Sequence, residues 1–363
     1  MTPPLAINGR FLTQRITGVQ RFATEITQAL DAMAAEGLLP SARLLRPAAG
    51  TPSPFPHLRD EAFGRLRGQA WEQLELPFRA RGSLLVNLGN TAPLAPPPLG
   101  LGRRQAVVIH DAGAFDTPES YSAAFRGWYR SLHRALPRLG TRLLTVSEFS
   151  RGRIAHHLGI APARIGVVHE GGEHILRAPA DTAVLARHGL LPGRFVLVVG
   201  TRAAHKGLAG LAEAQALLAA RGLTLAVAGA ADASVFRNAS DPEGQAVTPL
   251  GRVTDAELRA LYEAALCLIF PSRYEGFGLP PLEAMTCGCP VIATAAAAVP
   301  EVCGDAALWF DANGPRRLPE ALARLLDEPG LADRLRRDGL ARAAGYSWRG
   351  AAERLVALLG EDA

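Results

Sequence analysis

The chain has 363 residues, of which 48% are apolar, 20% charged and 6% aromatic. This accommodates two globular domains and excludes a disordered chain. The net charge of +5 is written almost wholly in arginine, 38 of them against one lysine, and it is uneven: residues 1–180 hold 21 arginines and 13 acids, residues 181–363 hold 17 arginines, the lysine and 21 acids.

In chain order, "PLAINGRFL" reads as a short strand, followed by a turn at Thr17 and Gly18 and a helical run, "VQRFATEITQALDAMAAEG". Further strands are expected at 83–89, 105–111, 142–148 and 164–170, with helical patterns between them. The pattern then restarts, with strands at 194–200, 223–229, 265–271, 289–294 and 306–310. Continuous apolar runs of this kind belong to strands buried on both faces of a parallel sheet. Their alternation with helices gives an α/β class built from two doubly wound domains. The stretch 173–189 has no strand pattern and contains "RAPADTA", so it is expected to link a first domain, residues 1–172, to a second, residues 190–347. Two such domains facing one another make a cleft, because ligands of open α/β sheets sit at the carboxyl ends of the strands.

The N-terminal stretch has no basic segment leading into an apolar core, so no signal peptide is expected. No run reaches 18 uncharged apolar residues, so no membrane span is expected either. The spacing of Cys267, Cys287, Cys289 and Cys303 fits neither a CxxC pair nor a zinc knuckle; reduced thiols and a cytoplasmic chain follow. The basic first half suits an anionic membrane surface, a phosphate-bearing substrate or nucleic acid, or is solvated helix surface. Nucleic acid is not expected, because no aromatic cluster of the base-stacking kind accompanies the arginines. Within 121–139, Phe125, Trp128, Tyr129 and Leu132 fall on one helical stripe, and Arg126, Arg130, Arg134 and Arg138 recur on another. Such a helix either lies against an anionic membrane at the inner face of the cell membrane or packs its stripe on its own sheet.

Two stretches bear chemistry. The single lysine, Lys206, follows Gly200 by six residues, between a strand and a helix, and shares its loop with Arg202 and His205. Loops in that position aim backbone N–H groups and a helix dipole at anions, and a compact ammonium suits phosphate. The spacing is neither a Walker A nor a GxGxxG pattern. The second stretch is "PSRYEGFGLPPLEAMTCGCPVIAT", residues 271–294. Gly276 and Gly278 permit close approach to a ligand. Pro280 and Pro281 suit a helix start and put Glu283 in its first turn, where a carboxylate can take the two hydroxyls of a ribose or merely cap the helix. Glu275, eight positions earlier, is placed to reach sugar hydroxyls or water.

The segment "EGFGLPPLE" with "CPVIAT" after it resembles the nucleotide-sugar site of glycosyltransferase family 4, retaining enzymes of the GT-B fold. "TGVQRF" (17–22), "VVIHD" (107–111), "LTVSEFSR" (144–151) and "PLGRVTDAELRALYEAA" (249–265) extend the likeness over roughly residues 5–350. The resemblance implies two Rossmann-like domains, the first binding the acceptor and carrying back a C-terminal helix at about 348–363, the second binding the donor. It implies that Lys206, with Arg202, meets the donor diphosphate, that Glu283 holds the ribose, and that Glu275 touches the transferred sugar. Gly276, Phe277, Gly278 and Leu279 complete that donor loop. His110 lies beside the anomeric centre, and Gly18 approaches the phosphates. Relatives place an arginine directly after the glycine or before the lysine, where this chain has Thr201 and His205.

The implied reaction is transfer of a hexose with retention, mannose above others. The implied donor is GDP-mannose and the implied acceptor a glycan or polyprenyl-diphosphate-linked glycan of bacterial surface or exopolysaccharide synthesis. No Asp-x-Asp occurs in the chain, so no metal and no cofactor beyond the nucleotide sugar is expected. The rivals are a nucleotide-sugar epimerase of the same fold, a phosphorylase, and a non-catalytic sugar- or nucleotide-binding module.

Overall fold

The computed structural model describes residues 4–39, 41–50, 52–94, 105–200, 211–229, 247–311 and 317–360. The chain divides into two compact units, Met1–Glu170 with Trp348–Ala363, and Gly171–Ser347.

The first unit is built on seven strands: β1 (Leu5–Asn8), β2 (Arg43–Pro47), β3 (Arg59–Phe63), β4 (Leu84–Asn87), β5 (Gln105–Val108), β6 (Arg142–Thr145) and β7 (Ile165–Val167). Their order in the sheet is β3-β2-β1-β4-β5-β6-β7, with parallel pairing throughout. The second unit holds β8 (Phe195–Val199), β9 (Thr224–Ala228), β10 (Val247–Gly251), β11 (Cys267–Phe270), β12 (Val291–Thr294) and β13 (Ala307–Phe310), in the order β10-β9-β8-β11-β12-β13, again parallel. Winding therefore reverses between β1 and β4 in one sheet and between β8 and β11 in the other. In open α/β sheets that reversal leaves a crevice at the carboxyl ends of the two strands.

The central strands are buried on both faces, as their apolar runs require: Ala106, Val107 and Val108 of β5 and Leu268, Ile269 and Phe270 of β11 are at most 1% exposed. Three strands do not announce themselves in the sequence. β3, "RDEAF", is charged and mostly exposed, at Arg59, Asp60 and Ala62, because it is an edge. β10 carries Pro249, tolerable only on an edge, with a register irregularity between Pro249 and Gly251. β2 has only Leu44 and Leu45 as a fully apolar pair, between two arginines. The stretch 173–189 is not a free linker. It belongs to the second unit and contains a 3-10 turn, Glu173–Leu176, and a short helix, Ala183–Arg187.

The C-terminal helix Trp348–Gly360 packs within the first unit against the helix Gly18–Ala35. Trp348 sits edge-on to Phe22 at 5.9 Å, and Arg349 grips Glu36 through two hydrogen bonds of 2.6 and 2.8 Å. The ring pair carries more of that attachment than the ion pair, since exposed salt bridges contribute little.

Candidate functional site

In the second unit, the segment that follows β11, one of the two strands at the winding reversal, leads into the helix Leu279–Thr286. Ser272 is buried, and its carbonyl accepts a hydrogen bond from the Thr294 hydroxyl at the end of β12, which ties the start of the segment to the sheet. Glu275 and Gly276 follow, both half-buried. Phe277 turns inward, 3% exposed, with its ring edge-on to Tyr346 at 5.9 Å. Its side chain is thus a packing anchor, and only its backbone is offered to a ligand. Gly278 has φ +112°, a conformation that L side chains rarely adopt, and turns the chain into the helix. Leu279 is the first helical residue. Pro280 and Pro281 have no N–H to give, which limits the donors of this turn.

Glu283 is the fifth residue of that helix, so the expectation of a first-turn position needs correction; the first turn holds no acid. The helix also has no side-chain cap, which removes the capping role. Instead the carboxylate is buried and held at both oxygens. His174 Nε2 lies 2.9 Å from Oε1, and the Tyr262 hydroxyl donates to Oε2 at 3.0 Å. Burial, then the charge of Glu283 and the hydrogen bond to it, push the Tyr262 phenol well above its ordinary pKa, so it remains a donor. Each carboxylate oxygen with one partner keeps capacity for another. A fixed, anionic, twofold acceptor results, which is the chemistry a vicinal diol needs.

The sequence does not reveal either partner of Glu283. Tyr262 occupies an apolar-face position of the helix Asp255–Ala264, where an aromatic reads as core. His174 lies in the stretch expected to be a linker. At the same edge, Gly200 directly follows β8, and its N–H donates to Ala228 O at 3.1 Å. The loop that carries Arg202, His205 and Lys206 lies outside the described residues. Burial pushes the thiols of Cys287, Cys289 and Cys303 up to about 12, and that of Cys267 well up.

In the first unit, Gly18 opens the helix Gly18–Ala35 after an extended Thr17 that makes no side-chain cap. A Cβ added to Gly18 would meet nothing within 4 Å. The fold therefore does not need glycine there, and the open space beside it suits a ligand. His110 follows β5 and is buried. Its Nε2 is 3.0 Å from Leu88 O, its Nδ1 is 3.8 Å from Glu170 Oε1, and Phe22 meets its ring edge-on at 4.8 Å. The structure thus holds His110 firmly through protein groups at the carboxyl end of β5.

The helix Ala123–Arg138 buries Leu132, His133 and Leu136, while Phe125 and Trp128 are each 37% exposed. Two of its arginines are turned to the unit's own backbone: Arg126 donates to Pro118 O at 2.7 Å and Arg130 to Ala114 O at 2.8 Å. No helix among the described residues is long and apolar enough to cross a membrane.

Residues 187–342 match the family model described as glycosyl transferases group 1. The chain is 32% identical over 260 residues to O-antigen chain mannosyltransferase B of Escherichia coli, covering 68% of this chain and 67% of that protein. It is 30% identical over 249 residues to the MMP alpha-(1->4)-mannosyltransferase of Mycolicibacterium hassiacum, of which it spans 57%. Among solved structures, WaaG, a glycosyltransferase involved in lipopolysaccharide biosynthesis, superposes with a TM-score of 0.71 at 18% identity, covering 98% of this chain and 100% of that one. Anabaena HepE in complex with UDP and glucose gives 0.70 at 16%, covering 99% and 100%. The structural likenesses fix the fold as GT-B, and the sequence relatives fix the lineage: the chain belongs to the group 1 glycosyl transferases.

Proposed function

We propose that the protein moves a hexose, mannose above others, from a nucleoside-diphosphate sugar to a glycan or lipid-linked glycan in bacterial surface or exopolysaccharide synthesis, with retention and without a metal. The observation that carries this reading is the Glu283 carboxylate, fixed by Tyr262 and His174 beside the Glu275 loop at the β8/β11 crevice. The kinship to an O-antigen mannosyltransferase favours mannose and hence GDP-mannose as donor.

In this reading Glu283 accepts the two ribose hydroxyls. Glu275 orients the sugar, and the backbone of Gly276, Phe277, Gly278 and Leu279 borders it. Charge grows on the terminal phosphate as the glycosidic bond breaks, and Lys206 with Arg202 stabilises it by electrostatics alone. The absence of an Asp-x-Asp sequence accords with metal-free departure. The acceptor hydroxyl attacks the face that the diphosphate leaves, and its proton passes to the departing phosphate oxygen. For the first unit the reading gives Gly18 a phosphate and His110 a sugar as ligand. The protein works on the cytoplasmic side; any contact with an anionic membrane falls to the exposed Trp128 with Arg134 and Arg138, and is strongly salt-dependent.

Calorimetry and donor kinetics test the division of labour. Glu283→Ala should weaken binding of the free nucleoside diphosphate, whereas Glu275→Ala should spare that binding and lower turnover. Lys206→Ala should raise donor KM and lower kcat together, with only partial rescue by Lys206→Arg. Equal losses of nucleotide affinity at the two glutamates, or full turnover in Lys206→Ala, contradict the assignment.

A further inference from the structure

At the amino ends of β1, β2, β3 and β4, the first unit has a cavity of about 460 Å³. This is the end of the sheet opposite to its crevice. β1 and β4 have four residues each, so roughly 13 Å of strand separates the two ends. Gly18 and His110 follow the carboxyl ends of β1 and β5 and take no part in the lining.

Three guanidiniums line the cavity, those of Arg43, Arg59 and Arg81, and among the described residues no acid and no aromatic ring joins them there. Arg43 is held in place: it donates to Ser83 Oγ at 2.6 Å and to Glu61 Oε1 at 3.4 Å, and Ser83 is 1% exposed. Glu61 is shared three ways. Arg59 lies 3.2 Å from its Oε1, and Arg79 donates to its Oε2 at 2.8 Å. Asp60, the other acid of β3, is taken by Arg46 through bonds of 2.7 and 2.8 Å. Arg81 has no ion pair among the described residues, and its guanidinium lies over the Phe78 ring at 5.3 Å from the centroid. Counting Arg79, four guanidiniums thus stand against one carboxylate. Gathered like charges repel, and an anion among them removes that cost.

We propose that this cavity binds a phosphoryl anion, free or as a lipid headgroup, at a site separate from the donor site. A guanidinium fork matches two phosphoryl oxygens, and no ring in the lining holds a base or a sugar. Arg43 is preset to receive the anion, and the exposed Arg59 and Arg81 close on it. The site stands whether or not the transfer reaction does.

Calorimetry on the full chain tests it, with pyrophosphate and orthophosphate at constant ionic strength in chloride. The Lys206→Ala background removes the donor-loop ammonium as a competing site. Pyrophosphate should bind once per chain and more tightly than orthophosphate. Adding Arg59→Gln and Arg81→Gln together should weaken it about tenfold. Both side chains are exposed, so the melting temperature without anion should equal or exceed that of the parent. Arg324→Gln, an exposed arginine of the second unit, should leave the affinity unchanged. Sedimentation with phosphatidate vesicles, against phosphatidylcholine ones, identifies the source: vesicle binding without soluble-anion binding, lost in the same double variant, assigns a headgroup and supports the site. With Lys206 restored, donor KM in the double variant should stay within about twofold of wild type. No binding of either anion or of vesicles, an affinity unmoved by the double variant, an equal loss in Arg324→Gln, or a parallel rise in donor KM overturns the proposal.

Discussion

Two residues separate what the fold needs from what a ligand needs. Gly18 has ordinary helical backbone and open space where a Cβ would go. Gly18→Ala should therefore leave the melting temperature equal or slightly higher, since alanine stiffens the unfolded chain and favours helix by up to about 1 kcal/mol. It should still depress donor turnover if a phosphate comes within contact of that position. A melt and a donor titration on one variant decide it: a lowered melting temperature with unchanged kinetics would make Gly18 structural. His133 is the reverse case. Burial holds its folded pKa below the ordinary 6.5, against weaker opposing pulls from its bond to Asn90 O and from Asp111. The unfolded chain takes up that proton first as pH falls through 6.5. Stability is thus full above that value and lost below it, by at most about 1.4 kcal/mol per pH unit from this group. Denaturant melts between pH 7.5 and 5.5 should show this slope in wild type and a flatter one in His133→Gln. Identical slopes would remove His133 as the cause.

At the scale of elements, strands with continuous apolar runs are legible because a parallel sheet buries both faces: β5, β8, β11 and β12 all sit inside stretches that sequence alone marks as strands. The edges are illegible for the converse reason. β3 and β10 pair on one side only, so charge and proline are tolerated there. In the site, Glu275 and Glu283 are visible through the glycines and prolines around them. The Tyr262 and His174 donors are not, because their role arises from packing between segments 21 and 109 residues away from Glu283. Close backbone approach is equally hidden. Gly229 directly follows β9 with φ +118°, and a Cβ there would lie 2.2 Å from Gly200 O, a backbone atom that cannot give way cheaply. Gly229→Ala should cost several kcal/mol, about the range of a severe core lesion. Denaturant unfolding gives the value, and a loss below about 1 kcal/mol would mean that the β8 and β9 ends are not this closely apposed.

For the whole molecule, the same winding occurs twice, and each unit contributes a different chemistry at its reversal point. The second holds a buried carboxylate fitted to a diol, and the first a cavity with an aromatic wall. The proposed transfer puts the ribose of the donor on that carboxylate. The measurement that bears most directly on it is the anomeric configuration of the first product formed from GDP-α-mannose and a methyl α-mannoside, read by proton NMR before any secondary reaction. The account predicts a new α-mannosidic linkage and one GDP per linkage, undiminished by a chelator. A β-linked product, or an epimerised sugar nucleotide with no new glycoside, would contradict it.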